Sequence, residues 1–339
     1  MDLNRRQFLV KTSSSLVAGW ALANGLRPSS AAAEEVNSIP FATPVFLMKY
    51  PQSVTDFRPV VNSTATTVIF ERTIGSSTKL YSLDLTSPSA KPVLFAKGLS
   101  AQSFRPDWSW QTGEVVFMNT TNGVYLASAS GAYSLITGTV GMSYPTWYPD
   151  GATLAVYNNQ PKAGEPVPRT SKMDLSGKVL QDVLANNNVW AGFASVNQTS
   201  PNLIAFAGQV VIPKGTYNQN MNYIWLTDTS TTPPTVRTLA PGAPTNHFDP
   251  NYQGRAPWYS PDGKWIIFES NRFNSKGLYS IFIQIADGSS TAVRVTDPRW
   301  DAQHAKFYPS GTELVVTVLQ KFGGTKRGIA KLDVSKFVS

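Results

Sequence analysis

The feature that most limits what this chain can become is a cassette that returns along it. Its clearest copy is Pro257-Trp258-Tyr259-Ser260-Pro261-Asp262-Gly263, running into Trp265-Ile266-Ile267-Phe268. A second is Pro145-Thr146-Trp147-Tyr148-Pro149-Asp150-Gly151, running into Leu154-Ala155-Val156. A third, Phe307-Tyr308-Pro309-Ser310-Gly311, leads to Leu314-Val315-Val316. Weaker copies start at Pro59 and Pro106, and the weakest is Ser195-Val196-Asn197 ahead of Leu203-Ile204-Ala205-Phe206. The cassette has a physical logic. Pro and Asp preset a turn, and Gly151 and Gly263 supply the positive φ that a tight hairpin needs. The residues before the turn predict an inner strand whose aromatic (Tyr259, Trp147, Trp108 or Phe307) wedges against the next unit. Those after it predict an apolar second strand.

Third strands follow at Leu80–Asp84, Gly123–Leu126, Tyr223–Leu226 and Leu278–Phe282, and outer strands at Val93–Phe95, Tyr133–Ile136 and Ala292–Val295. The six cassettes recur every 40 to 60 residues or so, close to the repeat of a four-stranded propeller blade. The expected fold is therefore all-β, a six-bladed β-propeller. The last blade runs out of chain after Ile329–Asp333, and Thr43–Lys49 reads as a strand with no blade of its own. Pairing the two closes the ring and removes an open edge. Composition agrees. The 339 residues are 42% hydrophobic and 12% aromatic, which excludes disorder, and only 15% are charged. There is no cysteine, which excludes disulfides and thiolate metal sites.

The N-terminus reads Arg5-Arg6-Gln7-Phe8-Leu9-Val10-Lys11, then a weakly apolar stretch to Leu26, then Ala31-Ala32-Ala33. This resembles a twin-arginine (Tat) export signal with a small-residue cleavage site. The expectation is a Tat signal peptide at 1–33 and a propeller at 34–339, placed in the periplasm or secreted. The leader carries Arg5, Arg6, Lys11 and Arg27 against Asp2, so its loss lowers the formal charge of +8 by three.

On Pro257 to Gly263, set against the mark Pro-x-Trp-Ser-Pro-Asp-Gly, and the Glu269-Ser270-Asn271-Arg272 stretch that follows it, the chain resembles the TolB-like, or WD40-like (PD40), propeller family. The resemblance implies a TolB-like propeller and ligands held around its central channel. It departs from TolB itself, which carries a separate α/β domain ahead of the propeller. It also departs from prolyl-oligopeptidase-like enzymes, because no Gly-x-Ser-x-Gly elbow is present.

The resemblance points to the loops that lead into the inner strands, where Arg58, Arg105, Tyr144, Phe193, Arg255 and His304 stand just ahead of the cassettes. These are the expected ligand-binding residues of a funnel. Three arginines brought together repel unless an anion bridges them, which suggests an acidic peptide segment or an acidic sugar. Two long connections, Asn158–Pro168 and Gly208–Asn220, are expected to form a partial rim. His247, Gln303 and His304 resemble, incompletely, the His and Gln metal ligands of propeller oligogalacturonate lyases, so no metal site and no cofactor is expected.

No phosphate loop, His-Glu-x-x-His, catalytic triad signature or EF-hand is present. The cations are scattered, which argues against nucleic acid. The sequence thus favours an exported binding or scaffold module for a periplasmic protein or acidic ligand, with the Tat translocase as its partner during export. The alternative is a carbohydrate lyase or hydrolase working in the funnel.

Overall fold

The computed structural model describes residues 39–339, apart from 52, 120–122, 161–168, 184–188, 213–215, 218–222, 240–252, 273 and 275. The leader at 1–33, His247, most of the first long connection and part of the second lie outside the described residues.

Six antiparallel sheets follow one another along the chain. The innermost strands are Val54–Val61, Ser103–Trp108, Met142–Trp147, Val189–Val196, Gly254–Tyr259 and Gln303–Phe307, one per blade. Each blade then runs outward strand by strand. Blade 3, for example, continues through Thr153–Asn158, Arg169–Asp174 and Val179–Asp182. In blade 6 the outermost strand is Val45–Phe46, which pairs antiparallel with Arg327–Asp333, Val45 opposite Lys331. The ring is closed by the beginning of the chain, as the sequence pattern requires.

The core is distributed over the seams between blades. Val68 and Phe70 pack toward blade 6, against Tyr308 and Val315. Ile69, between them, packs toward blade 2, against Trp108 and Phe117. A strand whose alternate side chains enter two different seams must be apolar at every position, which is why the second strands read as unbroken hydrophobic runs. Burying each such side chain contributes about 1.5–3 kcal/mol.

The cassette turns form as their residues dictate. In blade 3, Asp150 Oδ1 accepts from the N–H groups of Ala152 and Thr153, both at 2.9 Å, and Gly151 takes φ +62°. In blade 5, Gly263 takes φ +72°, and its carbonyl accepts from Asn197 Nδ2 of blade 4 at 3.0 Å. The turns therefore also fasten neighbouring blades.

Candidate functional site

Every innermost strand carries the same irregularity. The pairing register slips between Phe57 and Val60, Phe104 and Asp107, Ser143 and Thr146, Gly192 and Ser195, Arg255 and Trp258, and Gln303 and Lys306. Within each slip one residue adopts a left-handed backbone: Arg58, Arg105, Tyr144, Phe193, Ala256 and His304, with φ between 48° and 55°. Such conformations cost a non-glycine residue on the order of 1–3 kcal/mol. Repetition in all six blades marks the bulge as part of the scaffold. Its consequence is functional, because all six residues line one cavity of about 80 Å³ at the end of the channel where the chain enters each blade.

Hydrogen bonds between blades hold this backbone. The N–H of Arg105 donates to Glu71 Oε1 at 2.7 Å, that of His304 to Glu269 Oε2 at 2.6 Å, and that of Arg58 to Thr317 Oγ1 at 3.1 Å. Each acceptor sits on the second strand of the preceding blade.

The charges around the cavity are nearly all paired. Arg58 Nη1 donates to Glu71 Oε2 at 2.6 Å. Arg327 pairs with Asp301, and Arg255 with Glu269. Both oxygens of Glu71 and both of Glu269 are therefore occupied. Arg105 differs. Among the described residues no carboxylate lies within ion-pair distance of its guanidinium, which instead lies over the rings of Tyr144 at 3.9 Å and Phe193 at 4.6 Å. Those two rings meet edge to face at 4.7 Å. Burial, and then repulsion from Arg58, push the Arg105 pKa down to about 9. His304 is held well below the ordinary imidazole value, first by burial and then by Arg58, Arg105, Arg255 and Arg327. It is neutral at pH 7, and at 3.6 Å its Nδ1 is too far from Glu269 to hydrogen-bond.

An ion pair spans the ring below this cavity. Lys306, two residues past His304, reaches Asp107 Oδ1 of blade 2 at 2.8 Å and stands 3.8 Å from the Trp258 ring centre. Asp107 Oδ2 also accepts the Trp147 N–H at 2.9 Å. Burial lowers the Lys306 pKa, and Asp107 opposes that shift.

Of the six residues expected at the funnel, the structure brings together Arg58, Arg105, Tyr144, Phe193 and His304. Arg255 stands one position off the ring, which Ala256 occupies. Its guanidinium turns aside to Glu269, to Gln303 Oε1 at 3.3 Å, and over the Tyr279 ring at 3.8 Å. The signal that separates the two positions is in the sequence: Arg58, Arg105, Tyr144 and Ala256 each directly precede a proline. Sequence reasoning missed Lys306, Asp107 and Trp258, which lie two residues farther along their strands, where the bulge ends. Gln303 spends its amide on Arg255 and on Asp301, the latter at 3.0 Å. Among the described residues no three His, Cys, Asp or Glu side chains converge as metal ligands.

No family model matches this sequence, and no curated protein matches it either. Solved structures do match in fold. A protein assigned as TolB from Agrobacterium tumefaciens is 18% identical, with 69% of this chain and 78% of that one covered at a TM-score of 0.52. An oligogalacturonate lyase from Vibrio parahaemolyticus is 11% identical, with 90% and 96% covered at 0.55. A gluconolactonase from Xanthomonas campestris is 12% identical, with 86% and 89% covered at 0.56. At these identities the likeness is one of architecture, and in architecture the chain is a TolB-like six-bladed β-propeller.

Proposed function

We propose that this chain is an exported binding module that receives an anionic group of its partner at the upper mouth of the channel. The observation that carries the reading is Arg105: a half-buried guanidinium with no carboxylate partner among the described residues, facing a cavity and backed by two aromatic rings. A bound carboxylate relieves its repulsion from Arg58 and offers a charge-assisted hydrogen bond. A water needs about 10–15 Å³, so a cavity of about 80 Å³ suits a carboxylate-sized head group, the remainder of the ligand lying outside. An acidic peptide side chain and a uronic acid share that chemistry.

A lyase or hydrolase needs a carboxylate or imidazole free to move protons. Glu71 and Glu269 are fully engaged, and burial together with the surrounding arginines makes His304 a poor base, so binding is favoured over catalysis. Placement in the periplasm rests on the Arg5-Arg6 leader and on the TolB-like architecture. Among the described residues no helix is long and apolar enough to cross a membrane.

Calorimetric titration with oligogalacturonate and, separately, with a Glu-rich peptide tests the reading. One of them is expected to bind, less tightly at high salt, and at least about tenfold more weakly to Arg105→Ala. Absence of binding by both, or binding indifferent to Arg105→Ala, overturns it. Fractionation of cells carrying Arg5→Lys with Arg6→Lys tests export, with retention in the cytoplasm expected.

A further inference from the structure

The ion pair between Lys306 and Asp107 divides the channel, and the chamber on its other side has a different chemistry. That lower cavity, about 280 Å³, opens at the face of the cassette turns and is more than three times the size of the upper one. Its walls include Trp110, Trp147, Tyr148 and Trp258, with Gln111 and Gln198 among the polar side chains. The charged residues in the wall are Asp107 and Lys306, which neutralise each other. A charged ligand would find no counter-ion here, whereas a neutral one meets flat aromatic faces.

Polar groups without partners accompany those faces. Trp147 is 4% exposed and packs in the seam between blades 2 and 3, and among the described residues its indole N–H has no acceptor. Its counterpart in blade 2, Trp108, donates the same N–H to the Gly113 carbonyl at 3.0 Å. Tyr148 is equally buried, and among the described residues neither its hydroxyl nor the Gln111 amide makes a hydrogen bond. The Gln111 amide is exposed at the cavity wall and so stands ready to bond the hydroxyls of a ligand there.

We infer that the lower mouth is a binding site for a neutral sugar ring, stacked on Trp110 and hydrogen-bonded by the Gln111 amide. This site is separate from the anion site and does not depend on it. Aromatic side chains are suited to the task because they offer an apolar face and a polar edge together.

The probe is an array of neutral oligosaccharides, followed by titration of any binder against the full chain with tryptophan emission as readout. The inference expects a neutral glycan that shifts the emission saturably. It expects affinity about tenfold weaker in Trp110→Ala, a few-fold weaker in the exposed and structurally safe Gln111→Ala, and unchanged in Arg105→Ala. Three results overturn it: no neutral glycan binds, binding is indifferent to both Trp110→Ala and Gln111→Ala, or the affinity tracks Arg105.

Discussion

Glu71 meets Arg105 through the backbone alone: the Arg105 N–H donates to Oε1 at 2.7 Å, and the guanidinium turns away toward Tyr144 and Phe193. The other oxygen of Glu71 holds the side chain of Arg58. One carboxylate therefore fixes the left-handed residue of blade 2 and neutralises that of blade 1, leaving a single guanidinium for a ligand.

Glu71→Gln separates these roles. It keeps one acceptor and loses the charge that balances Arg58. We expect unfolding in urea to report a loss of about 2–4 kcal/mol, as for a buried pair deprived of one partner. Anion affinity is expected to rise, because Arg58 is then also uncompensated. A variant as stable as the parent contradicts the assignment.

His304 links stability to pH. Its folded pKa lies well below the unfolded value of about 6.5. The folded state therefore resists protonation, and its stability, complete above that unfolded value, is lost as pH falls from there toward the folded pKa. Within that window the slope approaches about 1.4 kcal/mol per pH unit for one group. His304→Asn, an uncharged residue that tolerates positive φ, is expected to flatten the Tm profile between pH 6.5 and 5. A profile that keeps its slope assigns the effect to other groups.

Gly75 and Gly263 both have positive φ, but they differ in surroundings. A Cβ on Gly75 meets nothing within 4 Å, while one on Gly263 comes within 2.4 Å of Asn197 Oδ1 and Thr199 Oγ1. Gly75→Ala is expected to cost about 1–2 kcal/mol, the price of the left-handed backbone. Gly263→Ala adds displacement of the Asn197 latch and should cost clearly more by chemical denaturation. Equal costs would show that the latch is unimportant.

Tyr50 extends the closing strand with its side chain. Its hydroxyl accepts from the Ile329 N–H at 2.6 Å and donates to the Ile329 carbonyl at 3.2 Å. Tyr50→Phe leaves a buried N–H without that acceptor and is expected to cost about 1–3 kcal/mol, seen as a lower Tm. Gly328 packs against this ring, with an added Cβ 2.7 Å from it, so Gly328→Ala should weaken the same closure.

The cassettes made the ring legible because a turn built on Pro, Asp and Gly is decided within a few residues. Ser195-Val196-Asn197, with neither proline nor glycine, still marked blade 4 because the apolar run after it shows a strand buried on both faces. The closing strand was legible for a different reason: Arg327–Asp333 lacked an outer neighbour. The site was less legible. Arg255 and Ala256 are adjacent, and which of them faces the channel depends on a bulge that shifts the pleat by one residue. Asp107 read as part of a turn cassette, because its partner Lys306 lies 199 residues away in sequence and meets it only across the closed ring. Pairings of that kind are set by topology and leave no local pattern.

Closure by the first strand also sets a timetable. The contact between Tyr50 and Ile329 spans 279 residues, so the final seam requires the longest loop to close, and chains dominated by such contacts fold slowly. The paired stretch is short, with two residues in register, Val45 with Lys331 and Phe46 with Ala330. Amide hydrogens along this seam should therefore exchange with solvent sooner than those of the inner strands, and transient opening of the ring should begin where its two ends meet.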